Sequence, residues 1–168
     1  DRVNVGSIVN SGTGRTMFVP FSSNRSVTLG GASETAALNL ANSELNNVTA
    51  STIVVGGSSY TGGIAIGNTG GNISPTNASA LSLINQGAIT QTAPITVGSL
   101  NADTSSGAGA VTLTNAGNAI STVSGRAGSS SNFSFTSSSA LTVGTVAGSP
   151  APACEIRRTE SRVVRARI

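Results

Sequence analysis

The stretch from Leu81 to Val146 decides the fold, and it reads LSLINQGAITQTAPITVGSLNADTSSGAGAVTLTNAGNAISTVSGRAGSSSNFSFTSSSALTVGTV. Pairs of apolar residues recur along it two positions apart, at Leu81/Leu83, Ile95/Val97, Val111/Leu113, Phe133/Phe135 and Leu141/Val143. Because side chains alternate in an extended strand, both members of a pair lie on one face. The residues between the pairs are mostly Gly, Asn, Ser and Thr, which favour turns. One short strand buries too little surface to be stable, so the pattern predicts many short strands that stack on one another.

The same pattern continues upstream, with apolar pairs at Val27/Leu29, Ile53/Val55 and Ile64/Ile66. A single helical turn is predicted only within residues 32–50, where Asn42 or Ser43 could cap a turn through Glu44 and Leu45. No charged residue occurs between Glu44 and Asp103, which suits closely stacked strands because a buried charge is costly.

A short phrase recurs at long intervals. VNVGSI at 3–8, ITVGSL at 95–100 and LTVGTV at 141–146 share the form apolar-x-Val-Gly-Ser/Thr-apolar. The last two copies lie 46 residues apart, which predicts pairs of coils of about 23 residues each.

The composition excludes several classes of protein. Only 9% of the residues are charged, there is no His or Lys, and five of the nine arginines lie within 157–167, so the body of the chain is nearly neutral. No nucleic-acid partner is predicted, because no basic stripe is available. Cys154 is the only cysteine, which rules out an internal disulfide framework. No apolar run reaches the roughly 18 residues of a membrane helix, so no membrane insertion is predicted.

The sequence shows no signal peptide and opens on Asp1. We therefore expect an internal piece of a longer protein, or a processed chain.

Catalytic candidates are few. Glu34, Glu44 and Asp103 could meet as the paired carboxylates of a carbohydrate-cleaving β-helix, but we predict that they lie apart. Asp103 belongs to a turn-like sequence and is expected in a solvated loop, and Glu44 is expected in a first helical turn. Without His a Ser-His-Asp triad is impossible, and without Lys so is a P-loop. We predict no catalytic, cofactor-binding or metal-ligating residue, no cofactor and no enzymatic activity.

Two further features have a functional and a structural interpretation. Thr90-x-Thr92 and Thr112-x-Thr114 resemble the threonine ladders of ice-binding solenoids, but we predict that they do not recur in register. Phe133 and Phe135 could stack on a sugar, but their spacing favours the core.

Four segments resemble bacterial filamentous-haemagglutinin-like exoproteins, a class that includes two-partner-secretion and autotransporter-type adhesins. They are VTLGGASETAALNLANSELNNVTASTIVVGG, ISPTNASALSLINQGAITQTAPITVGSL, VTLTNAGNAISTVSG and NFSFTSSSALTVGTV, within a likeness that covers roughly residues 3–147. The resemblance implies a right-handed parallel β-helix, an extracellular or cell-surface, outer-membrane-associated location, and a role in adhesion or display. It brings no catalytic residues.

The predicted fold is thus all-β, a right-handed parallel β-solenoid of about five to seven coils over residues 1–148. Residues 149–168 form a Pro/Arg-rich tail that we expect to be irregular and poorly ordered; it could be a native tail, a cap or an artefactual end. The predicted function is a structural stalk or repeat segment of a secreted bacterial surface adhesin. The alternatives are a carbohydrate- or host-surface-binding module and a polysaccharide-acting β-helix enzyme. Expected partners are neighbouring coils of a longer parent chain and host or cell-surface glycans.

Overall fold

The structure is a computed structural model that describes residues 5–31, 37–67 and 71–146, together with the backbone of 157–159 and 163–167. Strands make up 48% and helix 4%, so the fold is all-β. The strands are β1 (Val9–Asn10), β2 (Arg15–Phe18), β3 (Ser26–Leu29), β4 (Ala37–Leu40), β5 (Val48–Gly56), β6 (Ile64–Ile66), β7 (Ala78–Ile84), β8 (Ile89–Gln91), β9 (Thr96–Asp103), β10 (Val111–Leu113), β11 (Ala119–Arg126), β12 (Asn132–Thr136), β13 (Thr142–Val143), β14 (Arg157–Thr159) and β15 (Val163–Arg167). The described helix is α1 (Asn42–Asn46).

From β5 to β13 the chain alternates between two sheets. Sheet 1 has the order β1-β5-β7-β9-β11-β13, with β2 also paired to β5, and sheet 2 has the order β14-β15-β12-β10-β8-β6-β3-β4. Each strand from β5 to β11 therefore pairs in parallel with the strand that comes two later in sequence.

One hydrophobic core contains side chains from both sheets. The central row of sheet 1 runs through Ile53, Leu81, Leu100 and Val123, all fully buried. In sheet 2, Ile64, Ile89, Val111 and Phe133 form the equivalent row. The predicted burial of the apolar pairs is confirmed from Val27/Leu29 through Phe133/Phe135, whereas Val143 in the last pair is 37% exposed.

Large and small side chains compensate across the core. A neighbouring row of sheet 1 shrinks from Leu83 to Ala102 to Gly125, while the facing row of sheet 2 grows to Phe133. A Cβ atom added at Gly125 would lie 2.6 Å from the Phe133 ring and 2.0 Å from the Ala102 carbonyl oxygen. Glycine at this position therefore makes room for the phenyl ring, and the core stays closely packed.

The predicted helical turn is present, but its cap differs from the prediction. The N-cap residue is Ala41 rather than Asn42 or Ser43. Glu44, at the third helical position, makes the reciprocal bond of a capping box, because its Oε2 accepts a hydrogen bond from the Ala41 backbone N–H at 2.8 Å. The same carboxylate accepts a second bond from the Val5 N–H at 3.3 Å, which attaches the N-terminal segment to α1.

The predicted 46-residue register does not match the strand pairing. Val143 pairs with Val123, and Val123 pairs with Leu100, so Val143 is equivalent to Leu100 and not to Val97. Because the coils differ in length, the repeated phrase is displaced by three residues relative to the paired strands. Side-chain packing, and not the repeated phrase, sets the register.

Within the predicted tail 149–168, the described backbone forms β14 and β15, which pair antiparallel with each other, and β15 pairs antiparallel with β12. The remainder of the tail lies outside the described residues, and its predicted poor order stays a prediction.

Candidate functional site

The candidate carboxylates do not form a cluster among the described residues. Glu44 precedes β5, whereas Asp103 is the last residue of β9, and β7 lies between these two strands. Glu44 and Asp103 therefore lie near opposite ends of β5 along the strand direction. The nine residues of β5 span about 30 Å when extended. Paired glycosidase carboxylates lie about 5–9.5 Å apart. Glu34 lies outside the described residues.

The prediction that Asp103 lies in a solvated loop was wrong. Its side chain is only 5% exposed, and its Oδ1 accepts hydrogen bonds from the Ser105 backbone N–H at 2.8 Å and the Ser105 hydroxyl at 2.6 Å. Asp103 therefore stabilises the turn that follows β9, in the manner of an Asx-turn. The sequence indicated a turn at this position. It did not indicate that strand pairing would bury Asp103, the residue that precedes the turn.

Thr90 and Thr112 lie in register in sheet 2, which corrects the prediction for this pair, whereas Thr92 and Thr114 lie outside the paired strands. Thr90 pairs with Thr112, and the same row continues to Thr28 and Ala65 on one side and to Ser134 on the other. We call these five residues the outer row of sheet 2, because they alternate with buried core residues. Thr90 and Thr112 are exposed, whereas Thr28 is 3% exposed.

The outer row is uncharged and offers few groups for a ligand. A shallow depression of about 200 Å³ beside it is lined by residues that include Ser26, Thr61, Ala65, Ala88 and Thr90. It has no aromatic or charged lining residue, and it is smaller than the usual 300–1,000 Å³ of a small-molecule pocket. The hydroxyl of Thr92 bonds to the carbonyl oxygens of Ile66 and Gly67, so this side chain stabilises the chain instead of facing outwards.

A buried polar ladder in sheet 1 was not predicted. Ser82, Asn101 and Ser124 lie in register and are at most 1% exposed. Asn101 donates from Nδ2 to the Ser82 hydroxyl at 2.9 Å, and the Ser124 hydroxyl donates to Asn101 Oδ1 at 3.1 Å. Because these side chains hydrogen-bond to each other, the ladder stabilises sheet 1.

Asn118 is the centre of a second polar network at a bend. Its Oδ1 accepts bonds from Gln91 Nε2 and from the Ile95 backbone N–H, and its Nδ2 donates to the Leu113 and Thr136 carbonyl oxygens. One fully buried amide thus joins three successive bends. The sequence contains fifteen asparagines, so composition alone could not identify this one as the centre of a network.

The described residues contain no group of three or more His, Cys, Asp or Glu side chains that could hold a metal ion. Within the same ranges no helix is long and apolar enough to span a membrane. No protein-family model matches the chain, and no curated protein or solved structure shows significant similarity to it.

Proposed function

We propose that this chain is a segment of a right-handed parallel β-solenoid and serves as a structural stalk of a secreted bacterial surface adhesin. The observation that carries the proposal is the alternation of the chain between two parallel sheets, with each strand in register with the next level. Each position in the order of paired strands is one level of the stack, and sheet 1 contains six levels because β1 and β2 share the first. Six levels agree with the expected number of about five to seven coils. The right-handed sense follows from the strong preference of parallel strand connections for that hand.

The distribution of polar groups supports a passive, non-catalytic role. Four buried polar side chains, those of Ser82, Asn101, Ser124 and Asn118, bond to neighbouring coils and stabilise the stack. Adhesion, secretion and the cell-surface location rest on the sequence resemblance. In this proposal neighbouring coils of the parent chain extend the stack, and other regions of the adhesin bind the host.

A second candidate function is direct binding of a surface glycan on the outer row of sheet 2. The regular hydroxyls of Thr90, Thr112 and Ser134 favour it, because they could hydrogen-bond a repeating sugar chain. The absence of aromatic side chains from the row weakens it, because sugars commonly stack on aromatic rings.

The stability of the isolated segment tests the stalk. A circular-dichroism melt of residues 1–148 beside the full chain should give a cooperative β spectrum in both, since the solenoid supplies its own core. Random-coil signal from both would contradict an independently folded segment.

A panel of immobilised glycans tests the alternative, with Thr112→Lys as the variant in the outer row and Thr122→Lys as the control in sheet 1. The stalk proposal expects no saturable binding. Binding that Thr112→Lys abolishes and Thr122→Lys preserves would replace the stalk by the glycan-binding function.

A further inference from the structure

The exposed large apolar side chains of the described residues concentrate on one edge of sheet 1. Five of the six belong to the segment that contains β1 and β2: Ile8 (78% exposed), Val9 (40%), Met17 (57%), Val19 (40%) and Phe21 (93%). We call these five residues the β1–β2 patch. The sixth, Val143, lies on the opposite edge of the same sheet.

The backbone of this edge is also open. The N–H groups of Val9 and Ser11 donate to the Asn47 and Thr49 carbonyl oxygens, and so point towards β5. Successive residues of a strand direct their backbone groups to opposite sides, so the N–H and C=O of Asn10 point away from β5. No described strand pairs with β1 or β2 on that side. Exposed edges of this kind are templates for pairing with another chain.

The edge has few of the features that prevent such pairing. Between Val5 and Asn24 the only charged residue is Arg15. The other sheet ends are less suited to pairing: β13 exposes one large apolar side chain, Val143, β14 has three residues, and the apolar side chains of β4 are buried.

We propose that the β1–β2 patch is a dimerisation surface whose occupant is the same edge of a second copy. Two identical edges related by a two-fold axis pair antiparallel, which joins sheet 1 of each copy into one sheet and closes the assembly at two chains. Head-to-tail stacking would instead pair this edge with β13, where Val143 is the one large apolar side chain that is exposed among the described residues.

The area reaches the lower limit for a specific pair. With roughly 150 Å² for each complete side chain, the low end of the range for aromatic residues, the exposed fractions of the five residues amount to at most about 450 Å² per copy. A symmetric dimer would then cover at most about 900 Å², which is the size of a weak, reversible pair and not of a stable one.

Sedimentation velocity of the full chain across a range of concentrations tests the proposal. We expect a reversible species of twice the 16.4 kDa chain mass. Met17→Lys and Ile8→Lys should each weaken dimerisation at least tenfold, because each places two like charges across the symmetric edge. Thr112→Lys adds the same charge on exposed sheet 2 and should leave dimerisation unchanged.

Circular dichroism of each variant verifies that the fold is retained. A wild-type chain that stays monomeric, assembly that continues beyond the dimer, or equal weakening by Thr112→Lys would each overturn the proposal. A monomeric wild-type chain would overturn the dimer but leave the proposed function, since a stalk segment can be a monomer whose β1–β2 edge is covered by a coil of the parent chain.

Discussion

At the scale of single residues, buried hydroxyls differ in whether they have a partner. Thr104 is fully buried, and its Oγ1 donates to the Gly109 carbonyl oxygen and accepts a bond from the Gly128 N–H at 2.9 Å. Thr52 is equally buried, but its Oγ1 has no hydrogen-bond partner. A buried polar group without a partner lowers the free energy of unfolding, whereas a bonded one can raise it.

Replacing each of these threonines by valine should therefore have opposite effects on stability. Thr52→Val removes an unpaired hydroxyl and should raise the free energy of unfolding by about 1 kcal/mol. Thr104→Val leaves the Gly128 N–H without its acceptor and should lower it by about 2 kcal/mol. Urea denaturation followed by circular dichroism measures both, and changes of the same sign would show that the two hydroxyls are equivalent.

At the scale of the elements, a strand contributes according to the neighbours that it has on each side. Val123 in β11 lies between Leu100 and Val143 and is fully buried. Val143 occupies the same row in β13, the last strand of sheet 1, and is 37% exposed. The two valines have the same chemistry and position in the ladder, so they differ chiefly in burial.

Truncating these two valines to alanine measures that difference. Val123→Ala should lower the free energy of unfolding by about 2 kcal/mol, because it removes buried methyl groups and leaves a cavity. Val143→Ala should lower it by less than about 1 kcal/mol, because the site is part-exposed and can relax. Thermal unfolding of the two variants under one condition is the measurement, and equal losses would mean that β13 is covered in solution.

At the scale of the whole molecule, the central levels behave as repeated units. Ile89, Val111 and Phe133 pair in sequence along sheet 2 and follow one another at intervals of 22 residues. Each level contacts mainly the level before and the level after it, so stability should be close to a sum of units and interfaces.

Deleting one complete unit should therefore preserve the fold. A chain without residues 89–110 joins Ala88 to Val111, so that β10 takes the place of β8 and β11 that of β9. We expect a cooperative β spectrum and a smaller denaturant dependence of the free energy of unfolding, because less surface is exposed on unfolding.

Deleting only residues 89–99 is the matched control. It removes β8 and the first half of β9, so the strand that follows cannot reach its place in either sheet in register. This half-unit variant should unfold. A folded half-unit variant, or an unfolded full-unit variant, would contradict the stacked-unit description.

The sequence by itself determined the local character of the chain. The spacing of pairs such as Val111/Leu113 and Phe133/Phe135 identified strands and their buried face, because alternation is a property of every extended strand. Low charge and frequent turn-forming residues indicated short, closely stacked strands. The position of α1 was also found, because Glu44 marks a first helical turn, although the residue that caps it was predicted wrongly.

Only the tertiary structure decided which residues share a row and which polar groups are inside. The register of Val143 with Leu100, the alignment of Thr90 with Thr112 and the burial of Asp103 all depend on the lengths of the intervening loops. The placement of Asn118 among three bends depends on them as well. Loop length is weakly constrained by local sequence preference, because longer loops cost little free energy. Register is set by side-chain packing between coils, and that packing exists only once the sheets have formed.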